Sequence, residues 1–221
     1  MSGVSSPRDE HEVFQQCQVD LEQAKAASHP DPAALEVLRR LRGELRRVMD
    51  RSEGYDLALF DRAHELLDEV GGFLRRTYPK ACTMAYRDGV YYRECPVDLG
   101  HLRVGFSVET RVDESECSIC GLDPDECDHI PGETYEGREC LILITKAQIL
   151  AAALVANPRF RDARFGSLQL GTSTELRAAL GPNFRPGVRL SCDKCLAGCP
   201  GLNRGFDGST HGGAIVSGRT R

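Results

Sequence analysis

Four of the chain's ten cysteines and one of its six histidines fall between Cys117 and Cys140, in "CSICGLDPDECDHIPGETYEGREC". The stretch is acidic and poor in apolar residues, so it has little with which to build a core, and a bound metal is the most direct way for it to acquire a defined shape. Cys117-x2-Cys120 followed by Gly121 has the form of a zinc knuckle, in which two thiolates face one ion and the glycine admits the tight turn. Cys127 and His129, two residues apart on an extended segment, point the same way and complete a tetrahedron. The sequence thus predicts a structural zinc site of Cys117, Cys120, Cys127 and His129, with Cys140 as a fifth candidate able to replace Cys127 or His129.

Further on, "SCDKCLAGCPG" offers Cys192, Cys195 and Cys199, one ligand short of a tetrahedron. Cys140 would close this second site, with Cys95 or His211 as substitutes. On this count Cys17, Cys82 and Cys95 are core thiols, and His64 and His101 are satisfied histidines on apolar-periodic segments rather than ligands. The same run matches the last three cysteines and the proline of a bacterial ferredoxin motif. Arg189 stands where the first cysteine would be, so an iron–sulfur cluster is the lesser reading.

Charge is distributed unevenly. Residues 1–140 hold 17 basic and 29 acidic side chains, residues 141–221 hold 11 and 4. Glu109 to Glu139 carries eleven acids against Arg111 and Arg138, which would repel a phosphate backbone from the cassette. The basic C-terminal half is the better candidate for touching an anion. No tryptophan is present to stack on a base. The first residues lack an apolar secretory core, and the most apolar run, Leu141 to Ala156, carries Lys146 and Gln148 and is too short to span a bilayer. The expectation is a cytoplasmic protein whose cysteines are ligands or thiols rather than disulfides.

Hydrophobic periodicity gives an α+β fold. Residues 1–9 read as disordered. Helices are expected over Glu10 to Ala27, from a cap at Asp31 through Val48, and over Tyr55 to Arg76, so that residues 10–78 form a helical hairpin or three-helix bundle. On the second helix Leu35, Leu38, Leu41, Leu45 and Val48 form the stripe, while Arg39, Arg40, Arg46 and Arg47 face water. Residues 80–199 read as a small β-rich zinc-binding domain with short C-terminal helices. Asp88-Gly89 marks a hairpin turn, and Leu102, Val104, Phe106 and Val108 alternate as on a half-buried strand. "CLILIT" is a buried strand. "KAQILAAALVANP" is a helix stopped at Pro158, with a strand through Leu154 as the alternative. Thr172 and Glu175 have capping-box spacing before a last helix that Gly181 ends. From Pro200 the Gly-rich tail, residues 200–221, is unstructured.

The order Cys117-x2-Cys120-Gly121, Cys127-x-His129-Ile130-Pro131-Gly132, Tyr135-x-Gly137-x2-Cys140 resembles a zinc-knuckle segment of some phage and prophage-encoded structural proteins. There too an apolar strand precedes the cassette, and an end similar to Leu154-Val155-Ala156-Asn157-Pro158 follows it. The resemblance covers residues 104–158 and implies a structural or interaction role. "CDHIPG" also resembles the Asp-His-Ile-x-Pro stretch of HNH nucleases, which implies His129 as general base. No Asn and second His follow at that family's interval. The reading adopted is a non-enzymatic, zinc-stabilised interaction or regulatory protein whose helical region meets another protein or a second copy. The alternatives are a degenerate HNH-like metal-dependent nuclease and a nucleic-acid binder using the basic C-terminal half.

Overall fold

The computed structural model describes residues 10–28, 30–158, 160 and 163–204. The chain divides into two compact units. The first contains the described residues up to Gly105 and from Ala156 onward; the second is Phe106–Val155.

The first unit opens with three helices, α1 (Glu10–Ala26), α2 (Pro32–Ser52) and α3 (Leu57–Thr77). Asp31 caps α2 by accepting from Ala33 N at 2.9 Å, with Pro32 at the first helical position. Asp56 does the same for α3 through Leu59 N. The expected leucine stripe is the core: Leu38, Leu41, Leu45 and Val48 are fully buried against Phe14, Cys17 and Leu21 of α1 and Leu59, Ala63, Leu67 and Val70 of α3. Arg39 and Arg40 pair with Glu36 and Glu44 on the solvent side. Arg46, expected there too, is instead largely buried, hydrogen-bonding the Phe165 carbonyl and lying 3.6 Å from Asp50.

The chain then forms a hairpin of β1 (Ala85–Arg87) and β2 (Val90–Arg93). Asp88 and Gly89 both have positive φ, 51° and 80°, as a two-residue turn of this type requires. α4 (Pro96–His101) follows directly. The expected boundary between a helical domain ending at residue 78 and a β-rich domain beginning at 80 is not where the chain divides. Met84, Tyr91, Val97, Leu176, Phe184 and Leu190 belong to the same buried cluster as the three helices.

The second unit is built on two long strands, β3 (Gly105–Cys117) and β6 (Ile142–Val155), paired in a two-stranded ribbon. Between them lie the cassette and a minimal hairpin of β4 (Thr134–Tyr135) and β5 (Arg138–Glu139). Two expectations are corrected here. "KAQILAAALVANP" is strand to Val155, the alternative reading, and not the helix preferred to it, because pairing with β3 overrides the helix propensity of its alanines. "CLILIT" is strand but not buried: every residue of β6 except Val155 is exposed. On β3 likewise, Phe106 and Val108 are exposed, whereas Leu102 and Val104, just before it, are buried in the first unit.

Back in the first unit, β7 (Leu168–Gly171) adds to the free edge of β2, and α5 (Ser173–Leu180) starts with a complete capping box between Thr172 and Glu175. Gly181 ends it at φ 95°. The segment from Pro200 is partly anchored, contrary to expectation. Arg103 N donates to Asn203 O at 2.7 Å, Asn203 N donates to His101 O at 2.8 Å, and Leu202 packs on the core. The expectations for residues 1–9 and 205–221 lie outside the described residues, as does His211.

A buried ionic cluster ties the first unit together. Arg103, fully buried, pairs with Asp50 at 2.7 Å and with Glu53; Arg164 and Arg204 also reach Glu53, at 2.6 and 2.7 Å. Two of the C-terminal basic residues are therefore spent internally.

Candidate metal centres

Cys117 is the last residue of β3, and the chain reverses at once: Gly121 N donates to Cys117 O at 2.8 Å, with Gly121 at φ 73°. A single 3-10 turn, Pro124–Glu126, is capped by Asp123, whose carboxylate accepts from Asp125 N at 2.9 Å. This turn delivers Cys127 beside Cys120, with the two sulfurs 3.4 Å apart. His129 Nδ1 lies 3.2 Å from Cys127 Sγ, and its ring stands edge-on to Tyr135 at 4.5 Å between centroids. The Tyr135 hydroxyl in turn accepts from Ile130 N at 2.9 Å, which fixes the ring that orients the histidine. One ligand atom from each of Cys117, Cys120, Cys127 and His129 falls within 4.8 Å of all the others, the compactness a tetrahedral ion requires.

The backbone prepares the sulfurs as acceptors. Ile119 N donates to Cys117 Sγ at 3.4 Å and His129 N to Cys127 Sγ at 3.3 Å. Hydrogen bonds from the Cys120 and Ile119 amides outweigh desolvation and bring the Cys117 thiol down to about 6. Cys140 stands beside this group of four. The β4–β5 hairpin, turning at Glu136 and Gly137 with φ 51° and 78°, returns it so that Cys140 N donates to Glu133 O at 2.8 Å. Its sulfur lies 3.7 Å from that of Cys117. The two are the only buried side chains between residues 106 and 155.

Cys140 is thus engaged beside Cys117 in the second unit, whereas Cys192, Cys195 and Cys199, expected to share a site with it, belong to the first. Each of those thiols has other neighbours. Cys199, on the segment that follows the 3-10 turn Lys194–Leu196, joins His64, Asp68 and His101. Ligand atoms of these four also lie within 4.8 Å of one another. His64 and Asp68 stand one turn apart on α3, and His101 ends α4. His64 Nε2 is 3.1 Å from His101 Nε2, and Cys199 Sγ is 3.1 Å from His101 Nε2 and 3.4 Å from His64 Nε2. Asp68 Oδ1 is 3.2 Å from His101 Nε2.

His101 Nδ1 is held against the Val97 carbonyl at 2.6 Å, the arrangement that leaves Nε2 to coordinate. Burial opposes charge on His101, but the hydrogen bonds to Asp68 and Val97 outweigh it and raise its pKa; burial lowers that of His64. Two imidazoles, a carboxylate and a thiol converging on one point suit a divalent ion. Both Cys/His groups have the donors and the spacing to hold one.

His64 and His101 are partly buried and hydrogen-bonded, as satisfied histidines should be, and they also gather with Cys199 and with Asp68, not singled out in the sequence, in a group able to hold an ion. The one local signal was the spacing His64-x3-Asp68 on a helix. Their partners come from α4 and from Cys199, and no sequence spacing announces that meeting. Compared with known families, curated proteins and solved structures, the chain matches no family model, no curated protein and no solved structure. Among the described residues, no helix is long and apolar enough to cross a membrane.

Proposed function

We propose that the protein is a non-enzymatic, zinc-stabilised interaction protein that associates with a second copy of itself through the β3–β6 ribbon. The observation that carries this reading is β6 itself, a strand of 14 residues with an apolar run on both faces and almost no burial. Ile142, Ile144, Leu150 and Leu154 lie on one face, Leu143 and Ile149 on the other, and all six are more than 40% exposed. Strands that read apolar on both faces are those covered on both sides in a folded assembly. An isolated two-stranded ribbon is marginal in water.

The helical region, the partner surface expected from the sequence, has its apolar faces committed to its own core. The ribbon does not. The choice of a second copy rests on charge. β3 carries Glu109, Asp113, Glu114 and Glu116, so two β3 edges would repel. β6 carries only Lys146, which already pairs with Glu114 at 2.8 Å. Two β6 strands can meet edge to edge about a twofold axis with apolar residues opposed and the acids turned away. Zinc in the cassette acts as the ribbon's clamp, since Cys117 closes β3 and Cys140 precedes β6. A structural role is also what the cassette's resemblance to phage-type proteins implies.

Sedimentation of the zinc-loaded full chain tests this directly. A dimer or higher species is expected, dissociating to monomer in Ile144→Lys with the helical signal intact. A wild-type monomer at tens of micromolar concentration overturns the reading. So does a metal-dependent nuclease activity abolished by His129→Ala, which would install the catalytic alternative.

A further inference from the structure

Neither ligand group described above uses Cys82, Cys95, Cys192 or Cys195, yet the fold gathers these four thiols. The segment around Cys82 runs antiparallel to that around Cys192: Met84 N donates to Leu190 O at 2.9 Å, Cys192 N donates to Cys82 O at 2.9 Å, and Thr83 bridges Ser191. In this register Cys82 and Cys192 stand opposite each other and project from the same face. The β1–β2 hairpin then returns the chain to Cys95, immediately before α4. The Cys95 sulfur lies near the thiols of both Cys192 and Cys195. Cys82, Cys95 and Cys192 line one cleft of about 230 Å³ with Arg42. Cys195 presses on α3 where the helix has Gly71; a Cβ there would stand 2.8 Å from Cys195 Sγ. A helix-interior glycine costs about 1 kcal/mol relative to alanine, and here it makes room for a sulfur.

These thiols differ from an ordinary core cysteine. Cys17 is buried with the Glu44 carboxylate 3.6 Å from its sulfur, a neighbour that no thiolate would take. Around the four, several neighbours are hydrogen-bond donors. Arg42, itself buried, donates to Cys95 Sγ at 3.7 Å, and its Nε has no partner among the described residues. The Asp98 amide donates to Cys95 and the Lys194 amide to Cys192. The latter repeats the contact, from the amide two residues on, seen at Cys117, Cys127 and Cys199. Arg75, paired with Asp193, donates to the Cys192 carbonyl at 3.1 Å and fixes the backbone there. Four thiolates around a divalent ion carry two net negative charges, and the Arg42 guanidinium offsets part of that charge.

We propose that Cys82, Cys95, Cys192 and Cys195 form a third metal centre, an all-thiolate tetrahedral site for a zinc-class divalent ion. It pins the β1–β2 hairpin and the C-terminal cysteine segment to α3. This centre is independent of the ribbon and of how the chain associates.

Two measurements on the full chain, purified under reducing conditions, test it. With cadmium-113 in place of the native ion, NMR is expected to show a resonance in the all-thiolate range that is lost in Cys95→Ser and kept in Cys120→Ser. The absence of any such resonance in the wild-type chain overturns the proposal. Alkylation of the wild-type protein read by mass spectrometry needs no variant. Cys82 and Cys95 are expected to go from unlabelled to fully labelled when a strong chelator is added, while Cys17 stays protected. If Cys82 and Cys95 remain as protected as Cys17 after the metal is removed, they are core thiols and the proposal fails. An iron–sulfur chromophore that depends on Cys95 overturns it as well.

Discussion

The two units acquire their shape by opposite means. In the first, interlocking stripes on α1, α2 and α3 exclude water from Leu38, Leu41, Leu45, Leu67 and Val70 without help from any ligand. In the second, only Cys117 and Cys140 are buried, although β6 is among the most apolar stretches of the chain. Hydrophobic composition alone does not make a core; something must face it. In the helical unit that something is the next helix. In the ribbon unit we assign the task to a metal within the chain and to a second copy outside it.

The sharpest way to break this contrast is Cys117→Ser. Zinc supplies on the order of 10 kcal/mol to small thiolate sites, and the second unit has no core in reserve. Hydrogen exchange should show amides of residues 106–155 losing protection while α1, α2 and α3 keep theirs. Retained protection in the ribbon would mean that its order does not come from the metal.

A middle-sized effect belongs to the ionic cluster of the first unit. Burial resists ionisation of Glu53, but Arg103, Arg164 and Arg204 outweigh it and hold its pKa below the ordinary 4.5. A carboxyl depressed in the folded state stabilises fully above its unfolded pKa, and the contribution is lost as pH falls through the lower folded value. Denaturant unfolding of the first unit should therefore weaken in that acidic window. Glu53→Gln should cost about 3 kcal/mol at neutral pH, because it leaves buried guanidinium groups uncompensated, and should flatten the pH dependence. The smallest effect is Thr172→Ala, which removes one cap of α5 and should lower stability by about 1 kcal/mol. Any larger loss would tie α5 more closely to the core than Leu176 alone accounts for.

What was legible in the sequence follows the range of the interaction. Asp31-Pro32, Asp88-Gly89 and the Thr172–Glu175 box act within a few residues, and each stands where its chemistry placed it. The cassette ligands were legible for the same reason: Cys117, Cys120, Cys127 and His129 lie close along the chain and close in space. Cys199 is a candidate ligand in the sequence, but its neighbours His64 and His101 come from segments far back in the chain. Apolar periodicity there points to burial and gives no sign that the imidazoles gather with Asp68 and Cys199. β6 failed differently. An apolar run says that a strand is to be covered and leaves open whether its own chain does the covering.

Residues 106–155 interrupt the first unit, and this has a consequence for synthesis. The ribosome releases the three helices first, then the entire cassette, and only afterwards Leu176, Phe184 and Leu190, which complete the cluster those helices began. Domains generally form as they emerge, so Cys117 to Cys140 can capture an ion while the earlier unit still waits for its last third. The polypeptide's order of appearance thereby makes the inserted unit the first piece able to finish, ahead of the unit whose sequence it interrupts.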